Sequence, residues 1–102
     1  MLRHIVMYKF LPESGGKSKK ENLEEASRLA AIMENAIPQL RGFQCGINAE
    51  NARPDNYDVT LVCDLDDLDA LAAYKLNPTH KAFGTHCHAV CESRASIDYY
   101  FD

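Results

Sequence analysis

Hydrophobic and polar positions alternate over the first ten residues. In "LRHIVMYKF", Leu2, His4, Val6, Tyr8 and Phe10 fall on one side, and Arg3, Ile5, Met7 and Lys9 on the other. A period of two is the pattern of a strand. Ile5 and Met7 make the second side partly apolar, so the pattern predicts a sheet with something packed on each face. "LPESGG" breaks the strand. Ser18-Lys19-Lys20-Glu21 then has the form of a capping box, in which the hydroxyl and the carboxylate satisfy free amides at a helix start. The helix behind it steps through Leu23, Ala26, Ala30, Met33 and Ile37 at three- and four-residue intervals. Pro38 predicts its end, because the residue before a proline is pushed out of helical geometry.

"RGFQCGIN" and "YDVTLVCDL" predict two more strands, joined by the polar stretch "AENARPDN". In the second, Tyr57, Val59, Leu61, Cys63 and Leu65 share one face, and Asp58, Thr60, Val62 and Asp64 the other. Cys45 and Cys63 fall on the core-facing sides of their strands. "DDLDALAAYKL" predicts a short amphipathic helix with acidic residues at its positive end. "NPTHKAFGTHCHAVCES" predicts another, with Pro78 in the first turn, where its missing amide matters little. "RASIDYYF" closes the chain as a strand, and there is no internal repeat or linker.

This order predicts an α+β domain of the ferredoxin-like βαββαβ type: four antiparallel strands with helices on one face. No helix of the same chain can then cover Ile5, Met7 and Val62. Their apolar face predicts a homodimer closed through the sheets.

A length of 102 residues fits one domain, residues 1–102, with a single core. Hydrophobic residues at 46% and charged residues at 25% describe an ordinary soluble globule. The net charge of -4 argues against nucleic acid and anionic membranes as partners, since both reward basic surfaces. Lys17, Lys19 and Lys20 are followed at once by Glu21, Glu24 and Glu25, the make-up of a solvated helix start. No apolar run approaches the roughly 20 residues that span a bilayer, and the first residues are too interrupted by charge for a signal peptide. The four cysteines lack CxxC spacing, which predicts reduced thiols in a cytoplasmic protein.

"NPTHKAFGTHCHAVC" holds three of the four histidines and two of the four cysteines. On a helix, His86 and His88 point roughly 160° apart and cannot share one ion. His80 and Cys87 stand about 10 Å apart along the axis, too far for one tetrahedral site. Only Cys87 and Cys91 have chelating spacing, and with Phe83 and Val90 they read as a buried stripe. The expectation is therefore no metal. His80 differs: it follows Pro78 at a helix start facing the sheet, where an imidazole is both oriented and reachable. With Tyr74 just before it, and His4 on the strand face that carries Val6 and Tyr8, it composes a candidate acid–base pocket between sheet and helices.

The segments "RHIVMYKF", "FQCGIN", "YDVTLVCDL", "LAAYKLNPTHKAFG" and "SIDY" together resemble the Dabb, or stress-responsive α/β-barrel, family over nearly the whole chain. The resemblance implies ferredoxin-like protomers that dimerise sheet to sheet around a barrel. It also implies a comparison with a family member that closes a polyketide by intramolecular aldol condensation without a cofactor. The catalytic histidine and tyrosine of that cyclase match His80 and Tyr74, and its first-strand histidine matches His4. Three positions depart from it: Asn77 replaces the first histidine of the His-Pro-x-His motif, Val59 replaces a third-strand histidine, and Cys87 and Cys91 replace large aromatic residues.

Two functions follow as expectations. One is a cofactor-independent cyclase, isomerase or lyase acting on a small hydrophobic, oxygenated molecule. In it, His80 is the base, Tyr74 the donor to a developing enolate, and His4, Tyr8, Val59 and Phe83 the substrate-binding side chains. The other is a non-catalytic dimeric ligand-binding or stress-related protein. A cavity open to both His80 and Tyr74 goes with the first, whereas a filled core with His80 bonded to a backbone carbonyl goes with a structural role.

Overall fold

The computed structural model describes residues 1–102. β1 (Leu2–Phe10) keeps its alternation throughout: Leu2, His4, Val6, Tyr8 and Phe10 are buried, and the residues between them are half exposed. The "LPESGG" break is itself structured, as a small hairpin of β2 (Glu13–Ser14) and β3 (Lys17–Ser18). It turns through Gly15 and Gly16 at φ values of 64° and 76°. That left-handed geometry carries no steric penalty for glycine, and a Gly-Gly pair is a turn signal for a two-residue hairpin.

α1 (Lys19–Ala36) starts on the expected capping box. Ser18 Oγ accepts the Glu21 amide at 3.2 Å, and the Glu21 carboxylate accepts the Ser18 amide at 3.1 Å. Its buried positions are Asn22, Ala26, Ala30 and Met33, with Leu23 only half-buried. Asn22 can lie inside because its side-chain amide donates to the Ser14 carbonyl at 3.3 Å. Ile37 is extended and buried, and the helix ends before Pro38 as expected.

β4 (Gly42–Ile47), β5 (Val59–Leu65), α2 (Leu68–Leu76), α3 (Pro78–Val90) and β6 (Cys91–Tyr100) complete the chain. The large sheet has the order β4-β5-β1-β6 with every pair antiparallel, so the fold is ferredoxin-like α+β. α1 and α3 pack against each other, and the buried cluster of 17 residues lies between the helices and the sheet face that carries Val6 and Tyr8.

Several boundaries differ from the sequence reading; β6, for one, begins at Cys91 and not at Arg94. β5 begins at Val59, not Tyr57, and Asp58, assigned to the open face, is buried. Asp58 Oδ2 accepts the Phe10 amide at 2.8 Å, and Lys19 Nζ lies 3.4 Å from Oδ1, so the carboxylate ties the end of β1 to the start of α1. α3 stops at Val90, because Leu11 donates to the Val90 carbonyl at 3.0 Å and Cys91 already pairs with Phe10 in the sheet. Cys87 and Cys91 therefore do not share a helix face.

The other face of the sheet is open. Ile97 stands opposite Ile5 and Ala95 opposite Met7, and Ile97 is 58% exposed. No helix is long and apolar enough to cross a membrane.

The capping box gives a direct check on the fold. Ser18→Ala leaves the amides of the first turn of α1 without their partner, and stability falls by about 1 kcal/mol. Urea unfolding of the variant and the parent measures the difference; an unchanged midpoint would show that the β2–β3 hairpin, not the cap, fixes the helix start.

Candidate functional site

Asn77 forms the joint on which the site is built. Its backbone amide donates to the Tyr74 carbonyl at 3.1 Å and so closes α2. Its side-chain oxygen accepts from the Thr79 amide at 2.9 Å and so opens α3. Its side-chain nitrogen donates to the Ala36 carbonyl at 3.2 Å, anchoring the corner to the end of α1. Asparagine is among the best N-cap residues, and Pro78 follows at a position that needs no amide. This sharp corner folds His80 back over Tyr74, with their rings 4.5 Å apart and tilted by 52°.

Tyr74 is fully buried. The Cys63 thiol donates to its hydroxyl oxygen at 3.5 Å, leaving the phenol hydrogen uncommitted by that contact. Burial holds the Tyr74 pKa far above the ordinary tyrosine value, so the group is a donor and not a phenolate. His80 is half-buried, and its Nδ1 lies 3.3 Å from the Lys75 carbonyl. A carbonyl only accepts, so Nδ1 carries the hydrogen and Nε2 keeps its lone pair. Desolvation, with smaller contributions from neighbouring positive groups, lowers the His80 pKa below the usual imidazole value and leaves the ring neutral at pH 7.

His4, 2% exposed, sits edge-on to Tyr74 from the sheet side, with ring centroids 6.0 Å apart. Its Nδ1 makes a short hydrogen bond to Asp98 Oδ1, directly across the β1–β6 ladder. Asp98 was not among the candidates from sequence. The available signal was the polar parity of β6: Arg94, Ser96 and Asp98 occupy its inward positions, where apolar residues stand on the other strands.

Tyr8 lies four residues along β1 from His4, buried between the edges of Phe83 (6.1 Å) and His88 (5.5 Å). Burial raises its phenol pKa, and the nearby Arg94 guanidinium pulls it partly back. Val59 is buried beside Tyr8 in the sheet and borders a concavity of about 610 Å³ formed with Met7, Tyr57, Asp58 and Thr60. That concavity, and a second of about 530 Å³ along α1, touch neither His80 nor Tyr74. His4, Tyr74 and His80 thus converge, Tyr8 and Phe83 extend the same face, and Val59 belongs to a different depression. Of the features weighed from sequence, the backbone carbonyl bond at His80 is present, and no cavity opening onto the histidine–tyrosine pair is seen at either concavity.

All four cysteines are free thiols. Burial pushes Cys63 up to about 11 and Cys87 up to about 12, so neither is a thiolate at neutral pH. His86 is occupied with the Asn22 carbonyl at 2.8 Å. No three His, Cys, Asp or Glu side chains are grouped in a way that could hold a metal ion.

The family model described as the stress responsive A/B barrel domain, Dabb, matches residues 2–101. The chain is similar in structure to a dimeric ferredoxin-like protein of unknown function from Thermobifida fusca: TM-score 0.82, 24% identity, covering 98% of this chain and 90% of the other. A dimeric protein of unknown function and ferredoxin-like fold from Bacteroides fragilis gives a TM-score of 0.79 at 26% identity, with 98% and 95% covered. A hydroxynitrile lyase from Passiflora edulis shares the fold at a TM-score of 0.76 and 15% identity, with 99% and 93% covered. Among curated proteins, no relative matches the chain.

The depressed pKa of His80 has a sign that can be measured. The unfolded chain takes up the proton near pH 6.5, before the folded chain does. The contribution of neutral His80 is fully present above that pH and is lost as pH falls through the lower folded value. Histidine NMR titration should place His80 below the free imidazole midpoint. The stability of His80→Asn should also fall less steeply than the parent's as the pH drops below about 6.5. Equal slopes would mean that His80 is as well solvated folded as unfolded.

Proposed function

The chain belongs to the stress-responsive A/B barrel (Dabb) family, and on that premise we propose that it is a homodimeric barrel performing acid–base chemistry without a cofactor. The reaction is of the isomerase, cyclase or lyase type, on a small hydrophobic molecule that carries a carbonyl. The observation behind this reading is the approach of two imidazoles to Tyr74 from opposite sides: His80 from the helices and the Asp98-bonded His4 from the sheet. Nε2 of His80 has the lone pair and the neutral ring of a general base near pH 7. It removes a proton from the carbon beside the carbonyl. The Tyr74 hydroxyl faces the oxygen on which charge develops, and His4, fixed by Asp98, orients the same end of the molecule.

A second reading is a dimeric ligand-binding protein without turnover. Its support is equally specific: Tyr74 is completely buried, and both concavities described above lie elsewhere. Exchange of protons for deuterium beside the carbonyl of small ketones and β-keto acids, followed by NMR in D2O, separates the two. His80→Ala should slow exchange by about 10²- to 10⁴-fold with fold and dimer intact, and Tyr74→Phe should slow it less. If the parent exchanges no faster than buffer, and small molecules protect parent and His80→Ala equally from heat, the binding reading stands.

The open sheet face supports the dimer. Ile5, Met7, Val62, Ala95 and Ile97 share it, and no helix of the chain covers it. Sedimentation at micromolar concentration should give twice the chain mass of 11.5 kDa, and Met7→Asp with Val62→Asp should give a monomer or an insoluble protein. A parent that sediments as one chain would remove this part of the proposal.

A further inference from the structure

The chain has five arginines, and four are paired with carboxylates: Arg3 with Asp64 at 2.8 Å, Arg28 with Glu25 at 2.7 Å, Arg41 with Asp66 at 3.1 Å and Arg53 with Asp55 at 3.0 Å. Arg94 is the exception. It stands opposite Tyr8 on β6, on the sheet face that carries His4 and Asp98. Its one side-chain hydrogen bond runs from Nη1 to Ser96 Oγ at 3.3 Å. Two carboxylates share its strand face, and neither neutralises it. Asp98 is engaged by His4, and Glu92 forms no ion pair.

Arg94 lies beside the Tyr8 phenol, which it faces across the β1–β6 ladder and whose pKa it lowers, and its charge is the smallest of the contributions at His80. The inward side of β6 is thus a polar track running from Asp98 through Ser96 to Arg94. At the rise of an extended chain this track is roughly 13 Å long. It holds an unneutralised guanidinium at one end and the His4–Tyr74–His80 group at the other.

We propose that Arg94 is the anion anchor of this site and that the molecule bound there is a small organic carboxylate. A guanidinium presents two parallel N–H groups that match the two oxygens of a carboxylate, a fit that an ammonium or a hydroxyl lacks. Ser96 Oγ adds a donor beside it. The acid lies along β6 with its carboxylate on Arg94 and its remaining carbons toward His80. This assignment rests on the acid–base reading above and narrows its substrate from an oxygenated hydrophobe to an acid. Arg94 is a specificity-determining residue, because it does not touch the reacting carbon.

Calorimetry on the full chain tests the assignment with benzoate and hexanoate, their neutral amides, and inorganic phosphate. The acids should bind and shift the NMR signals of Arg94, Ser96 and His80, and the amides should bind at least tenfold more weakly. Arg94→Gln should weaken the acids by roughly tenfold or more, the usual effect of losing a hydrogen bond to a charged group, and leave the amides unchanged. Arg94→Lys should recover part of the loss. Arg94 is exposed, so these variants keep the fold.

Acids that bind no better than their amides, or equally well to Arg94→Gln, would overturn the proposal. So would a site that takes phosphate at Arg94 in preference to the acids. These are binding measurements, so their failure is separate from a failure of His80-dependent exchange.

Discussion

The strict alternation of β1 is the constraint on which the rest of the structure depends. β1 is hydrogen-bonded on both sides, to β5 and to β6, and its inward positions are Leu2, His4, Val6, Tyr8 and Phe10. Hydrophobic burial of three of these forces the other two inward with them. A slip of one residue would turn the whole set outward. His4 is buried as a consequence of its parity, and a buried imidazole needs a partner. Register supplies it, because the residue facing His4 on β6 is Asp98. The irregularity between Lys9 and Phe10 lies beyond this pair and does not disturb it. Core packing and the polar pair are therefore one requirement met by one register.

The two strands beside β1 give that face two different sides. On β5 the inward residues are Val59, Leu61, Cys63 and Leu65, all buried. On β6 the corresponding positions are Arg94, Ser96, Asp98 and Tyr100, and all are exposed. β6 is an edge strand, and the helices meet the sheet over β4, β5 and β1. The inward positions of β6 are thus polar and exposed, whereas those of β5 are closed. The Cys63–Tyr74 contact lies at the boundary, where the thiol donates to the phenol oxygen inside otherwise apolar packing.

Much of this was legible in the sequence because it rests on local rules. The period of β1, the Ser18–Glu21 box, the stop before Pro38 and the helix break at Asn77–Pro78 are each set by a few neighbouring residues, and the element order then fixes the ferredoxin-like class. What stayed hidden depends on long-range register. Asp98 is 94 positions from His4 in the chain, and nothing local marks it as a partner. Asp58 looked like an open-face residue on parity alone. Its burial follows from bonds to Phe10 and Lys19, both distant in sequence. The end of α3 depends on long-range register in the same way. "HAVCES" continues a helical pattern locally, and only pairing with β1 converts Cys91 into a strand residue.

Asn77 shows how a departure from a family motif can be read physically. In the resemblance, this position belongs to a histidine and raises the question of a lost catalytic group. In this chain all four polar atoms of Asn77 are committed: the backbone amide to Tyr74, the backbone carbonyl to Lys81, the side-chain oxygen to Thr79 and the side-chain nitrogen to Ala36. None of them is free to act on a bound molecule. The position ends one helix, starts the next and pins both to α1. The tilted packing of His80 against Tyr74 follows from the angle of that corner. The short amide side chain accepts and donates at once across the corner. What Asn77 contributes is the placement of its neighbours, Tyr74 and His80, at the corner between α2 and α3.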